Sequence, residues 1–424
     1  MRHLSFRIVA AVTTITILLG IYTAKKWSPS ETATDFYVYY TAASLVRSSM
    51  SLHIYDGAER NTNPQLILAN PATVYAQTAN AHGISEVMLY LYPPTLADLV
   101  LPLTVLSPSA AFIAWTVLGF VMMLPLSTAL ARMLGMNFIG ATGLVAAFTL
   151  LFRPTLSTIH WGEVSIVLTF LLVIGFSFYV KGRRNLAALL FALAIAIKLV
   201  PLIVILPLIA WRDWKGLRSL AIWCAVLLVC LWVVNGREAL TLFFLHQLPA
   251  MSGGDLGSGE YSANRSLGNI FYTCLGGVHP VFDLPATAWL VRVSSVLLLC
   301  YASWLSRSNT GENLSDRQRF EIAAMFLLLA CAISPYSWLH SWVLSAPAVV
   351  VFCQRAWELR ADVVEIVLLT TFLISLSTNS FHVPTLTPLF GIGLGIYGLY
   401  RLRFERVEVP RPQPDSRVVR FVSG

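Results

Sequence analysis

Residues 35–43 read Asp-Phe-Tyr-Val-Tyr-Tyr-Thr-Ala-Ala and follow the first apolar run of the chain, which ends at Ala24. They place one carboxylate, Asp35, at the head of an aromatic segment, about ten residues beyond the point where a membrane helix would reach the far surface. Asp35 is suited either to capping a helix or to acting as a catalytic base. The spacing predicts an amphipathic helix on the membrane surface, carried by Phe36, Tyr39, Tyr40, Ala43, Leu45 and Val46.

The composition indicates an all-α polytopic membrane protein. Of the 424 residues, 57% are hydrophobic and 12% are charged, whereas a soluble domain has roughly 25% charged residues. The mean hydropathy is +0.70. The net charge of +8 does not indicate a nucleic-acid partner, because the basic residues sort by membrane side. The six cysteines include no Cys-X-X-Cys pair, so we expect no disulfide framework, no metal site and no cofactor.

Apolar windows predict about twelve transmembrane helices, some of them short or re-entrant. The first run is flanked by Arg2 and Arg7 before it and by Lys25 and Lys26 after it, which indicates an uncleaved helix rather than a signal peptide. The long windows are 8–26, 110–131, 161–180, 217–234, 286–306, 341–357, 361–378 and 385–402, the short ones are 138–152, 185–198, 200–211 and 320–333, and an extra half-membrane or surface helix covers 94–106.

The distribution of Lys and Arg predicts the orientation. With the N-terminus in the cytoplasm, 20 of the 29 basic residues fall on the cytoplasmic side, as the positive-inside rule requires. Two long segments, 27–109 and 235–285, then lie outside the cytoplasm. Residues 1–409 form a single membrane domain, and 410–424 form a basic, disordered cytoplasmic tail.

The turn around residue 160 gathers a cation, an imidazole and a carboxylate at the mouth of two helices. Arg153 begins this segment, and His160, Trp161, Gly162 and Glu163 follow. Trp161 alone is typical of an interfacial anchor. A carboxylate at the start of an apolar helix is costly, so Glu163 needs a partner or a wet cavity.

Lys198 lies at the outer turn of a short helical pair that runs from Leu186 to Ala210. Its ammonium either snorkels to the surface or supplies a fixed positive charge suited to a phosphate. Tyr92 precedes Pro93 and Pro94, which can start the next helix.

Two further outer segments carry polar residues. The glycine-rich run 252–259 is typical of a mobile lid rather than of a phosphate-binding loop, because no strand precedes it. Asn264, Arg265 and Ser266 follow it. The turn from Ser334 to His340 ends in an imidazole that can either anchor at the interface or meet an anion.

Together these motifs resemble glycosyltransferase family 87, the DUF2029 membrane proteins, which include polyprenol-phosphate-mannose-dependent mannosyltransferases of the GT-C superfamily. One departure is that the family usually has Gly-Gln where this chain has Gly162 and Glu163. The resemblance is carried by Asp35, Tyr39, Tyr40, Tyr92, Pro93, Pro94, Gly162, Lys198, Pro201, Asn264, Ser266, Ser334, Pro335, Trp338 and His340.

The resemblance implies a GT-C-like fold and an inverting transfer of a sugar, often mannose, from a polyprenyl-monophosphate carrier to a lipid or glycan hydroxyl. The implied location is a bacterial inner (plasma) membrane, among membrane lipids, with the active site on the non-cytoplasmic face and no nucleic-acid partner. Asp35 would be the general base, and cations or donors would bind the departing phosphate. The phosphate candidates are Lys198, His340, Arg153 and Arg265, and the substrate-binding candidates are Tyr39, Tyr40, Tyr92, His160, Glu163, Asn264, Ser266, Tyr336 and Trp338.

Two other functions remain open from the residues alone. A transporter or flippase of a lipid-linked or anionic substrate would also place polar residues near broken helices, but the chain has no internal repeat, which transporters commonly show. A structural or assembly subunit accounts for neither Lys198 nor Glu163.

Overall fold

The computed structural model describes residues 34–56, 68–253, 264–276, 285–307, 314–377 and 386–404. Over these residues the chain is helical, and one isolated β-bridge joins Leu68 and Met88. The all-α prediction is confirmed for this part of the chain. The predicted first helix, 8–26, and the tail, 410–424, lie outside the described residues, as does most of the glycine-rich run.

Most apolar windows beyond the first agree with a described α-helix to within a few residues at most of their ends, whereas no window matches the helices Val74–Ala81, Arg153–Trp161, Leu248–Gly253 and Leu267–Gly276. Four 3₁₀ segments, Ser51–Tyr55, Leu101–Val105, Val200–Val204 and Leu339–Ser345, and a π-helical turn, Leu242–Gln247, complete the described helical elements. In chain order the α-helices are α1 Thr34–Arg47, α2 Val74–Ala81, α3 Pro94–Val100, α4 Pro108–Met133, α5 Phe138–Leu150, α6 Arg153–Trp161, α7 Ser165–Val180, α8 Arg184–Ile197, α9 Ile205–Ala210, α10 Trp214–Thr241, α11 Leu248–Gly253, α12 Leu267–Gly276, α13 Pro285–Leu305, α14 Asp316–Ile333, α15 Ala346–Trp357, α16 Val363–Ser377 and α17 Thr387–Phe404.

Two described helical stretches are long and apolar enough to cross a membrane: α4, Pro108–Met133, and Trp214–Met251, which runs from α10 through the π-helical turn into α11. A third span results if α5 and α6, which meet at a bend of 58°, count as one broken helix. Other apolar helices are shorter than a span, so the count of about twelve stays a prediction. These are Pro94–Val105, Ser165–Val180, Arg184–Ile197, Val200–Ala210, Trp289–Leu305 and Val363–Ser377.

Helix α1 is buried inside the protein, so the prediction that it lies on the membrane surface is wrong. Every residue from Phe36 to Leu45 is at most 9% exposed. The Tyr75 hydroxyl of α2 donates to the carbonyl of Val38 (3.1 Å), and the Tyr40 hydroxyl donates to that of Leu106 (2.7 Å). An apolar pattern shows that one face of a helix is buried, but it does not show whether neighbouring segments also cover the other faces.

Helices α7, α8, α14 and α15 each run between two ends of the described bundle, which we call the basic end and the site end. The basic end carries the connections 181–183, 211–213 and 358–362, where Arg184 donates to Asp213 (2.9 Å). The site end carries the connections 162–164, 198–199 and 334–338. At the site end the Thr158 hydroxyl of α6 donates to the carbonyl of His340 (3.1 Å).

A buried ionic network ties the basic ends of α14, α15 and α16 together. The side chain of Arg355 is 2% exposed, and its guanidinium lies 3.1 Å from Glu365 and 3.8 Å from Glu321. Arg317 links Glu321 to Glu358, with a distance of 2.8 Å to each. Such charges are tolerated inside a protein because they compensate one another.

Candidate functional site

Four polar side chains from four separate segments meet at the site end, and we call them the site cluster: Asp35, Glu163, Lys198 and His340. The Lys198 ammonium lies 2.9 Å from a Glu163 oxygen. Nδ1 of His340 lies 3.9 Å from a carboxylate oxygen of Asp35. All four lie outside the candidate membrane spans and the shorter apolar helices.

Asp35 belongs to the first turn of α1, one residue after the helix begins. A negative charge is favoured there by the helix dipole. Its side chain is 13% exposed. Burial, together with the nearby charge of Glu163, raises the pKa of Asp35 to about 7, although Lys198 acts in the opposite direction. A carboxyl group with such a pKa can exchange a proton near neutral pH, as a general base must.

Glu163 follows a left-handed turn that only glycine adopts without strain. Gly162 ends α6 with φ 65°, and its carbonyl accepts from Nε1 of Trp115 (2.9 Å). A Cβ atom on Gly162 would lie 2.6 Å from Cβ of Phe36. The absence of that atom lets the turn pack directly on α1, so Glu163 is placed beside Asp35.

Both oxygens of Glu163 accept hydrogen bonds from the protein. One accepts from the Lys198 ammonium (2.9 Å), and the other accepts from the backbone N–H of Ser165 (2.7 Å). Burial by itself would raise the pKa of Glu163, but Lys198, His340 and the bond from Ser165 lower it to about 2. Glu163 therefore stays ionised. A buried carboxylate needs a partner, and for Glu163 that partner is Lys198.

Lys198 follows the last residue of α8 and has an extended backbone. Its side chain is 17% exposed, and its ammonium lies 5.5 Å from the ring centroid of Tyr92. The rings of Tyr39 and Tyr92 pack edge to face at 5.0 Å beside it. The ammonium therefore points at a buried carboxylate, which disfavours the snorkelling interpretation.

His340 lies in the 3₁₀ segment 339–345 and is buried. Burial lowers the pKa of His340 to about 4, with Lys198 acting in the same direction and Glu163 opposing it. The imidazole is therefore neutral at pH 7, and it would meet an anion as a hydrogen-bond donor rather than as a cation.

Arg153 and Arg265 form a second basic group. Arg265 is 3% exposed and donates to the carbonyl of Ser375 (2.8 Å), while Arg153 donates to that of Ser377. Burial lowers the pKa of Arg265 to about 10, and the charge of Arg153 acts in the same direction. Both guanidinium groups thus engage the end of α16.

The other predicted substrate-binding residues make contacts within the protein, some to distant segments and some to neighbours in the chain. Asn264 donates to the carbonyl of Pro335 (2.9 Å) and accepts from the N–H of Ser337 (3.0 Å). Ser266 accepts from the N–H of Asn269 (3.1 Å). Tyr336 and Trp338 lie half-buried in the turn that Asn264 holds, Tyr40 contacts the ring of His82 at 5.3 Å, and His160 contacts that of Trp161 at 5.1 Å.

Sequence reasoning missed the contacts of Trp115 and Phe36 that hold the Gly162 turn against α1. Trp115 lies in the middle of an apolar window, where nothing distinguishes it from a lipid-facing or core residue. Across the described segments, no group of three or more His, Cys, Asp or Glu side chains is arranged to hold a metal ion.

One comparison with known proteins gave a match. A family model described as glycosyltransferase family 87 matches residues 90–335, which is more than half of the chain. The matched segment contains Glu163 and Lys198, whereas Asp35 and His340 lie outside it. No curated protein and no solved structure matched. The match confirms the resemblance, and the chain belongs to glycosyltransferase family 87.

Proposed function

We propose that this family 87 glycosyltransferase moves mannose from a polyprenyl-monophosphate carrier to a hydroxyl of a lipid or glycan acceptor, with inversion and with Asp35 as general base. The reaction takes place on the non-cytoplasmic face of a bacterial inner membrane, in a GT-C-like fold. The observation that carries the proposal is the site cluster, which joins a proton acceptor to a cation and a neutral donor at one end of the bundle. Membership of an enzyme family favours this reading over a transporter or an assembly subunit.

The two halves of the cluster suit the two halves of the reaction. The acceptor oxygen attacks C1 of the sugar while its proton passes to Asp35, whose raised pKa suits that step at neutral pH. The C1–O bond to the carrier breaks, and its electron pair stays on the phosphate. Lys198 and His340 bind that phosphate, and a water-poor site strengthens both contacts.

The other predicted residues have supporting roles in this proposal. Tyr39 and Tyr92 pack beside the Lys198 ammonium, where they can bound the sugar pocket. Arg153 and Arg265 provide a second positive group, which would hold the acceptor or the carrier farther from the reacting atoms. The non-cytoplasmic placement rests on the distribution of Lys and Arg.

A transfer assay tests the proposal. Purified protein is incubated with polyprenyl-phosphate mannose and membrane lipids, and released polyprenyl phosphate is measured by mass spectrometry. We expect release with the wild-type protein and at least about 10²-fold slower release with Asp35→Asn, because that is the usual contribution of a general base.

Asp56→Asn is the matched control, because Asp56 lies outside the site cluster and pairs with His53. It should release the carrier at the wild-type rate. Release from a polyprenyl-phosphate glucose donor but not from the mannose donor would contradict mannose as the transferred sugar. Wild-type turnover in Asp35→Asn would overturn the general base, and no release from either donor would overturn the reaction.

A further inference from the structure

Glu163 is poorly placed to bind a substrate, because both of its oxygens accept a hydrogen bond from the protein and its side chain is 0% exposed. The ammonium of Lys198 and the N–H of Ser165 each occupy one carboxylate oxygen. The residue is 2% exposed, which is less than any other member of the site cluster. A buried charge is retained only where it is paired and hydrogen-bonded. Its role is therefore to be sought in what it does to its neighbours.

Glu163 and the general base belong to two segments that are in direct contact. The Gly162 turn packs against Phe36 so closely that a Cβ atom on Gly162 would lie 2.6 Å from Cβ of Phe36. Asp35 and Glu163 are the chain neighbours of these two contacting residues. Among the described residues, Lys198 and His340 are the other charged or titratable groups that act on or lie close to Asp35, and the neighbouring aromatic hydroxyls are those of Tyr39 and Tyr92.

We propose that Glu163 is a positioning residue: it fixes the Lys198 ammonium in the site, and its negative charge makes Asp35 hold the proton taken from the acceptor more tightly. This inference rests on the proposed function. It assigns different roles to two carboxylates, one that stays ionised and one that exchanges a proton, which is how environments divide acid and base roles between neighbouring carboxyl groups.

The proton balance of the step follows from this division. The acceptor O–H bond breaks as the C1–O bond to the acceptor forms, and the proton goes to Asp35. Glu163 remains ionised throughout, because Lys198 and the N–H of Ser165 stabilise its charge. The electron pair of the C1–phosphate bond leaves with the carrier phosphate.

In this chain a glutamine at position 163, the residue that the family usually has there, would not make the contacts that Glu163 makes. Glutamine has one acceptor oxygen and a donor NH₂ group, so it satisfies either Lys198 or the N–H of Ser165 and turns a donor toward the other. It also removes the negative charge that acts on Asp35. Both changes weaken the base, and they act in the same direction.

The pH profile of kcat/KM tests the inference. In the wild-type protein Asp35 must lose its proton to act, so activity should fall as the pH drops through about 7. In Glu163→Gln the midpoint of this fall should move to lower pH by about one unit or more, the usual effect of removing a like charge at close range. The value of kcat above the midpoint should drop by about tenfold, as expected for a weaker base.

Two control variants separate charge from structure. Glu163→Asp keeps the charge and should return the midpoint close to the wild-type value. Glu238→Gln is the matched acid-to-amide control, because Glu238 is exposed and outside the cluster, and it should leave the profile unchanged. A midpoint in Glu163→Gln equal to that of the wild type would overturn the inference.

A readout without turnover separates this inference from the proposed reaction. The carboxylic acid band of Asp35 in the infrared spectrum, identified by its loss in Asp35→Asn, is titrated without substrate. Its midpoint should be lower in Glu163→Gln, and an unchanged midpoint would overturn the inference even in an inactive protein.

If Glu163→Gln fails to fold, the double variant with Lys198→Met removes both charges, and its midpoint should still lie below that of the wild type. A protein that shows the shift but transfers no sugar would overturn the proposed function alone.

Discussion

Lys198 is the residue on which the charges of the site depend. Its ammonium compensates Glu163 and is also the cation we assign to the donor phosphate. His340, neutral at pH 7 because burial lowers its pKa to about 4, can only add a hydrogen bond. Removing Lys198 therefore changes two things at once, whereas removing the imidazole of His340 removes no charge.

We predict that Lys198 and His340 both contribute to donor binding. Lys198→Ala alone would leave Glu163 buried without its cation, which typically costs about 3–5 kcal/mol of stability. The informative variant is therefore Lys198→Met with Glu163→Gln, compared with Glu163→Gln and with His340→Ala. The double variant and His340→Ala should each bind polyprenyl-phosphate mannose more weakly and turn it over more slowly, measured by calorimetry and mass spectrometry. Normal affinity and turnover in both would move the phosphate site to Arg265 and Arg153.

The turn between α6 and α7 shows how one backbone conformation places a side chain. Gly162 combines φ 65° with a close contact to Phe36. Any larger residue there carries the strain of a left-handed conformation, roughly 1–2 kcal/mol, and must also push α1 away. The position of Asp35 relative to Glu163 depends on this contact.

Gly162→Ala should therefore reduce activity by more than its loss of stability accounts for. Gly182→Ala is the matched control, because Gly182 has φ 75° and nothing within 4 Å of an added Cβ. We expect both variants to lower the unfolding temperature, but only Gly162→Ala should lower turnover, by about 10-fold or more, since small displacements of reacting groups are costly. Equal turnover of the two folded variants would contradict the role assigned to this contact.

The basic ends of α14, α15 and α16 are held together by charges rather than by apolar contacts alone. Arg355 is buried between Glu321 and Glu365, which come from two other helices. Removing Arg355 would leave these two carboxylates without their cation in a low-dielectric interior.

Arg355→Met should destabilise the protein by about 3–5 kcal/mol. Arg360→Met is the control, because the side chain of Arg360 is 46% exposed and lies 3.5 Å from Glu358. The control should change stability by about 1 kcal/mol or less. The measurement is the unfolding midpoint in denaturing detergent, and equal midpoints for the two variants would show that the buried network adds no stability.

The whole molecule has two chemically different ends. The site cluster lies at one, and the basic connections lie at the other. The positive-inside rule predicts that the basic end faces the cytoplasm. The lipid-linked donor that we propose would then reach Lys198 from the opposite side without crossing the membrane.

Cysteine labelling tests this orientation. Ser48 follows α1 and is exposed, and Lys215 is exposed at the basic end. In a background without the six native cysteines, Ser48→Cys should react with an impermeant thiol reagent in intact cells. Lys215→Cys should react only after permeabilisation. The reverse pattern would invert the topology and remove the case for a donor on the non-cytoplasmic face.

The sequence by itself predicted most of the long apolar helices and the family. Apolar windows place helix ends to within a few residues because a long apolar run has few ways to satisfy its backbone in a membrane. The resemblance to family 87 was confirmed by the family match. The basic residues also indicated an orientation, because their effect on insertion depends on local charge and not on tertiary contacts.

Only the tertiary structure decided what the site residues contact. The partner of Glu163 is Lys198, 35 positions away in the chain. Lys198 and Glu163 were each identifiable as costly charges, but pairing them requires knowing that α7 and α8 pack side by side. Burial of α1 and the neutral state of His340 likewise depend on neighbours from distant segments. Contacts of this kind arise from the packing of the whole bundle, because the spacing of residues in one segment carries no information about the segment that packs against it.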